Sequence, residues 1–299
     1  MSLIQAFFTY RTSTTQRTSA ESSMLLSTSF ATRVIRPAVV VALATSMVVP
    51  MASSKAQDAQ SDKSFSWSGT IPSGKRIMIK NINGGVDVER STSGRVEVNA
   101  EKKWRKGDPN WVRIQQTKIG DEVLICALWG ENARCDENGM HSDNSNNRNN
   151  RNNDVNVHFT VRVPDGVKVD ISTVNGGLEV NGVTTEVRAS TVNGSITAKS
   201  AGGPVRASTV NGSINVAMGS LGSADDLEYE TVNGSVTISL PANFGAQLEL
   251  STVNGSVSTD FPITISGSLS NRRIRGTVGD GKTRLRASTV NGGVSLRKN

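Results

Sequence analysis

The sequence predicts an all-β protein, a right-handed parallel β-solenoid with about 18–22 residues per coil. Three observations lead there. The first is a repeated hexapeptide, "STVNGS" or a near copy, beginning at Ser172, Ser190, Ser208, Glu230, Ser251 and Ser288. With the asparagine of each copy as position zero, Asn83, Asn175, Asn193, Asn211, Asn233, Asn254 and Asn291 align. From Asn175 onward they are spaced by 18, 18, 22, 21 and 37 residues, and a period near 20 marks a solenoid. The last gap spans about two coils, so the sequence predicts a degraded copy within "FPITISGSLSNRRIRGTVGDG".

The second observation is period-two alternation on both sides of the Asn-Gly step. Six before the asparagine stand Ile77, Val169, Val187, Val205, Leu227, Leu248 and Leu285, and three after it stand Val86, Leu178, Ile196, Ile214, Val236, Val257 and Val294. Such alternation describes strands with one face inward. The third is composition. Aromatic residues make up only 4% of the 299-residue chain, which suits thin repetitive layers filled by Val, Ile, Leu and Ala. Asn-Gly between strands is also the strongest short hairpin signal, so an antiparallel meander is the rival fold. The same residues repeating in the same direction favour parallel coils stacked about 4.8 Å apart. Right-handedness follows from the general preference of parallel crossovers.

Residues 1–56 read as a leader, with basic residues, an apolar run over 37–52 and a small-x-small site at Ser54-Lys55-Ala56, so that the mature chain begins near Gln57. An uncleaved membrane anchor is the alternative. Residues 57–64 form a polar linker, and 65–137 an N-terminal β region in which Asn83 marks the first coil and Trp104 and Trp111 flank it. Cys126 and Cys135, the only cysteines, read as a disulfide closing a short loop in an oxidising compartment. The Asn-rich stretch 138–154 holds too few apolar residues to fold and reads as a disordered insert. Residues 155–299 form the repeat domain, ending on "GGVSLRKN", where Arg297 and Lys298 alone would guard an open last strand.

Within the repeat, glycine accepts positive φ and asparagine tolerates left-handed turns. A stacked asparagine column can also bond side chain to side chain. Beside it runs an apolar column: Val174, Val192, Val210, Val232, Val253 and Val290, with Ile82 ahead of them. Strict alternation turns this column outward and buries the preceding threonines, making a contact ribbon. A bend at Ser-Thr would bury it instead, and β-branched residues in one column favour burial. A polar column five before the asparagine reads Asp170, Arg188, Arg206, Glu228, Glu249 and Arg286. In chain order it places Arg188 beside Arg206 and Glu228 beside Glu249, both like-charged.

The charge balance argues against a nucleic-acid partner. Of the net +7, the leader supplies +4, leaving 28 basic and 25 acidic groups, with no basic stripe interleaved with aromatics. His141 and His158 lie in no triad or metal spacing, and no nucleophile elbow, zinc helix or phosphate loop is present. The sequence therefore implies no catalytic residues, cofactor or metal. One enzyme reading remains, a polysaccharide-active β-helix with Glu228, Glu230 and Glu249 clustered near Arg206.

The ladder of "TVNGS", the passage "LPANFGAQLELSTVNGSVSTDFP" and the closing "GTVGDGKTRLRASTVNGGVSLRK" resemble a bacterial family of adhesin-like β-strand-repeat proteins, a domain of unknown function. The likeness covers most of 155–299 and is diffuse over 65–126. It implies an exported, non-enzymatic repeat protein of the periplasm, cell surface or extracellular space, and transfers no site residues. The expected role is a cell-envelope or surface binding module whose partner is a glycan or protein, with self-association through a solenoid end. The alternatives are the polysaccharide-active enzyme and an envelope-stress or signalling accessory.

Overall fold

The structure, a computed structural model, describes residues 59–60, 63–141, 153–221, 226–265 and 270–299. The leader, and all of the Asn-rich stretch except 138–141 and 153–154, lie outside the described residues. The strands are β1 (Ala59–Gln60), β2 (Ser64–Gly69), β3 (Arg76–Lys80), β4 (Val86–Arg90), β5 (Val96–Lys103), β6 (Val112–Ile119), β7 (Glu122–Trp129), β8 (Arg134–Asp136), β9 (Gly139–His141), β10 (Asn156–Val163), β11 (Lys168–Ser172) and β12 (Leu178–Asn181). They continue as β13 (Val187–Ser190), β14 (Ile196–Ser200), β15 (Val205–Ser208), β16 (Ile214–Met218), β17 (Asp226–Glu230), β18 (Val236–Leu240), β19 (Ala246–Asn254), β20 (Val257–Thr259), β21 (Thr264–Ile265), β22 (Arg273–Val278), β23 (Thr283–Asn291) and β24 (Val294–Lys298). Among the described residues the only helical element is a 3₁₀ turn at Pro109–Trp111. No described helix is long and apolar enough to cross a membrane.

Two 11-stranded sheets carry the repeat. Each coil gives its strand before Asn-Gly to one sheet and its strand after Asn-Gly to the other. Equivalent residues then pair in parallel: Val169 with Val187, Val187 with Val205, Leu178 with Ile196, and Ile196 with Ile214. The pairing is parallel rather than the antiparallel meander. The alternating apolar columns meet between the sheets in one core, from Ile77 and Val86 to Leu285 and Val294. Residues of 65–137 and of 155–299 share both sheets and this core.

The order of coils in space departs from their order in the chain at both ends. Near the N-terminal end, β7 pairs with β3, and β10 pairs with β4, on the side away from β11 and β12. The first coil is therefore sandwiched, and antiparallel β5, β2 and β6 cover that end. Trp67 and Trp129 are the tryptophans buried there, while Trp104 packs only partly against the core. Near the other end, β23 lies between β17 and β19, and β24 between β18 and β20. The last strand is thus an interior strand, not the open edge expected from "GGVSLRKN". Among the described residues, the segment between Asn254 and Asn291 holds no further coil. It forms β22, antiparallel to β19, with β21 beyond it, and carries the chain back so that the final coil can enter the stack.

Cys126 on β7 and Cys135 on β8 are disulfide-bonded. The bond anchors the β8–β9 hairpin over the outer face of its sheet, where Met78, Leu124, Cys126, Leu128 and Ala133 form a second, small apolar cluster. The hairpin extends to His141, into the stretch read as a disordered insert. Lys80 is buried beneath it and donates to the Glu137 carbonyl at 2.9 Å. Burial lowers the pKa of Lys80 and raises that of nearby Asp170.

Candidate binding edge of the stack

The repeated "TVNGS" builds one edge of the stack, and each letter has a physical reason. The threonine is buried: Thr173, Thr191, Thr209, Thr231, Thr252 and Thr289 are all at most 7% exposed. A buried hydroxyl needs a partner, and each finds the carbonyl of the glycine one coil away. Thr191 donates to Gly176, Thr209 to Gly194 and Thr231 to Gly212, at 2.9–3.0 Å.

Strict alternation therefore continues through the Ser-Thr step, and the apolar column turns outward, contrary to the burial favoured from hydrophobicity. Ile82, Val174, Val192, Val210 and Val232 are half-buried. Val253 and Val290 are exposed, at 55% and 38%. The threonine takes the inward position that alternation assigns it, and its hydroxyl meets an acceptor there.

The asparagines form one continuous ladder. Each side-chain amide nitrogen donates to the side-chain oxygen of the next: Asn175 to Asn83, Asn193 to Asn175, Asn211 to Asn193, Asn233 to Asn211, Asn291 to Asn233 and Asn254 to Asn291, all at 2.7–2.9 Å. All six bonds run the same way, so the amide dipoles add. Every residue of the ladder is exposed except Asn83, which is half-buried.

The glycine after asparagine is required by clearance more than by φ. Gly176, Gly194, Gly212, Gly234 and Gly255 are not in the left-handed region, whereas Gly84 and Gly292, at the same position in the first and last copies, have φ +119° and +149°. A Cβ on Gly194 or Gly212 would lie 1.9 Å from the carbonyl oxygen of the glycine one coil away. The serine then supplies its hydroxyl to the next coil: Ser213 N–H donates to Ser195 Oγ and Ser235 N–H to Ser213 Oγ, both at 3.2 Å.

At the far end of the edge the ribbon borders a cleft of about 530 Å³, lined by Val253, Val290, Ser251, Ser288, Arg272 and Arg273 among others. Both arginines are exposed. Among the described residues, neither guanidinium has a hydrogen-bonding or ion-pair partner. The cleft thus joins an apolar wall, hydroxyl groups and two exposed cations.

The carboxylates weighed as an enzymatic cluster are arranged otherwise. Arg286 stands in register between Glu228 and Glu249. Glu249 is bound by Arg275 and, at 3.2 Å, by Arg286. Chiefly the Arg275 hydrogen bond, with help from Arg286, holds the Glu249 carboxyl below its ordinary value. Burial and neighbouring Glu228 push Glu230 up. The like-charged Arg188 and Arg206 are bridged by Glu186, at 2.9 and 2.6 Å, with Lys168 at 3.4 Å. Burial opposes ionisation of Glu186, but these three cations outweigh it and lower its pKa. His158 sits 3.0 Å from Asp87 and His141 3.2 Å from Asp136. Among the described residues no three His, Cys, Asp or Glu groups gather as metal ligands.

A family model described as Toastrack DUF4097 matches residues 68–297. No curated protein matches the chain. Among solved structures, one described as a putative cell adhesion protein from Clostridium sporogenes ATCC 15579 is similar at 9% identity, covering 79% of this chain and 100% of that chain with a TM-score of 0.45. Another, described as a putative adhesin from Bacteroides fragilis NCTC 9343, is similar at 13% identity, covering 80% and 98% with a TM-score of 0.33.

Proposed function

We propose that this chain, which belongs to the Toastrack DUF4097 family, is an exported, adhesin-like, non-enzymatic binding module of the cell envelope or surface. Its stack is read as right-handed, on the general preference of parallel crossovers. One observation carries the functional reading: an unbroken apolar column turned outward along the asparagine ladder, most exposed at Val253 and Val290. A contiguous apolar strip on a polar rim usually marks a contact surface. A rigid stack holds it at regular spacing of about 4.8 Å, so a partner gains contacts without ordering the surface first.

The cleft at the end of the strip favours a glycan or protein segment bearing carboxylates. Two guanidinium groups suit planar anions, the serine hydroxyls suit sugar or peptide polar groups, and the valines suit an apolar ring face. The Cys126–Cys135 disulfide supports an oxidising compartment. The ion pairing of Glu249 and Glu186 supports a structural role for these carboxylates rather than proton transfer.

The test is capture from envelope fractions and purified polysaccharides by the chain from Gln57 onward. A Val253→Asp variant and an Arg272→Ala/Arg273→Ala variant are run beside it. Saturable capture that falls at least tenfold in both variants is expected. Capture unaffected by either change would remove the edge from the proposal, and shortened glycan products would replace binding with catalysis.

A further inference from the structure

The coil formed by β23 and β24 occupies a slot whose two walls come from earlier in the chain, and the slot matches that coil in charge, volume and hydrogen bonding. One wall offers Asp226 and Glu228, the other Glu249. The coil brings Arg284, 3.9 Å from Asp226, and Arg286, in register with Glu228 and 3.2 Å from Glu249. In volume, buried Tyr229 lies between Ala207 and Ala287. In hydrogen bonding, Asn291 and Thr289 join the coil to Asn233 and Gly234, at 2.7 and 2.8 Å. Asn254 and Thr252 join the other wall to Asn291 and Gly292, both at 2.8 Å.

Direct closure of the two walls in chain order is disfavoured by the same residues. It would put Glu228 beside Glu249 and Tyr229 beside Leu250. Like charges directly opposite destabilise strand pairs, and a bulky pair in one thin layer overpacks it. Until the coil arrives, both walls therefore present unpaired strand edges, which are templates for another chain. The coil reaches its slot through one connection in the described chain, Gly279–Lys282, with Gly279 and Gly281 at φ +56° and +65°.

We propose that β23–β24 is a donor coil, and that a second copy of this chain is the partner whose slot it fills when molecules fold close together. Every copy carries the same donor and the same acidic walls, so the contacts are identical within and between chains. Proximity decides which forms. Reciprocal exchange gives an intertwined dimer, and one-way exchange gives a chain of molecules. This inference is independent of the ligand assigned to the edge.

The experiment uses the full chain in variants with one added cysteine. Ser258 and Ser295 face each other across the slot, with their hydroxyls 3.1 Å apart. Ser258→Cys and Ser295→Cys chains are mixed, unfolded with the native disulfide kept, refolded, oxidised mildly and run on a non-reducing gel. A covalent mixed dimer is expected, falling about in proportion to chain concentration on dilution. Thr197→Cys mixed with Asn215→Cys is the control, since these positions pair between coils consecutive in the chain. It should give at least tenfold less dimer. Equal dimer from both pairs would reduce the result to collision and overturn the proposal. Absence of the Ser258/Ser295 mixed dimer, when the double variant closes its bond within one chain, would overturn it as well. A double variant that does not close would overturn the slot itself.

Discussion

Replacing Gly212 by alanine tests whether clearance between coils, rather than backbone freedom, requires the repeated glycine. A Cβ there would lie 1.9 Å from the Gly194 oxygen and 2.5 Å from its carbonyl carbon. That is ~1.5 Å inside an ordinary contact. Both atoms are backbone, so no rotamer change relieves the overlap, and the coils must separate locally. The bonds spanning that step include Asn211 N–H to Val192 O at 2.7 Å, Gly194 N–H to Asn211 O at 2.9 Å, Ile196 N–H to Ser213 O at 2.9 Å and Thr209 Oγ1 to Gly194 O at 2.9 Å. Loss of two or three, at about 0.5–1.5 kcal/mol each, gives a destabilisation of about 2–4 kcal/mol. For a domain of this size that lowers Tm by about 10 °C.

Two further glycines separate the causes. Gly177→Ala brings Cβ to 3.5 Å from the Ser195 oxygen, an ordinary contact, and Gly177 is not in the left-handed region. Its substitution should be neutral, or stabilising by up to about 1 kcal/mol. Gly74 has φ +83° and open space around it, so Gly74→Ala should cost about 1–2 kcal/mol from backbone conformation alone. Thermal and urea unfolding should rank Gly212→Ala below Gly74→Ala, and that below Gly177→Ala. A Gly212→Ala midpoint equal to that of Gly177→Ala would refute the clearance argument.

Thr209→Val keeps shape but strips the Gly194 carbonyl of its hydroxyl donor, so urea unfolding should show a loss of about 1–3 kcal/mol, while Thr209→Ser retains most of the stability. Asn211→Leu removes two rungs of the ladder, to Asn193 and from Asn233. At about 0.5–1.5 kcal/mol per bond its thermal midpoint should fall measurably, and a midpoint within error of the parent would deny the ladder a stabilising role. Acid should weaken the stack near the inserted coil. Glu249 has a folded pKa below its ordinary value because Arg275 and Arg286 bind it, so its contribution is fully present above the unfolded pKa of about 4.3 and is lost as pH falls through the folded value. Thermal midpoints between pH 7 and 3 should drop less steeply for Glu249→Gln than for the parent chain.

What could be read from the sequence, and what could not, divides along a physical line. The inward columns were legible because period-two alternation and the repeat report the same faces, from Ile77 and Val86 through Leu285 and Val294. The asparagine column was legible for the same reason. The valine column was misjudged because hydrophobicity was weighed without the backbone. Alternation from the buried columns on either side assigns threonine the inward position, and there its hydroxyl meets a glycine carbonyl one coil away. Tryptophan burial at the covered end was only partly legible, because β6 and β7 place Trp129 by antiparallel pairing outside the repeat. The cleft was invisible for a related reason: Arg272 and Arg273 reach it on the return into β22.

The order of coils was hidden, yet its signal lay in the columns as two apparent faults. Chain order set Glu228 against Glu249, and Tyr229 against Leu250. In a repeat so regular, two adjacent mismatches at one step argue that the step itself is wrong. The remedy was also present, since Arg286 and Ala287 stand in the same two columns of the final copy. They place opposite charge between the glutamates and a small side chain beside the tyrosine. Local complementarity therefore outranks sequence adjacency in setting this stack. If so, exchanging the pair Arg286-Ala287 with Glu249-Leu250 should move both faults back into the slot, and a lower unfolding midpoint with little change in strand content by circular dichroism is the expected result. An unchanged midpoint would mean that the connection through β22, and not the columns, dictates where the last coil goes.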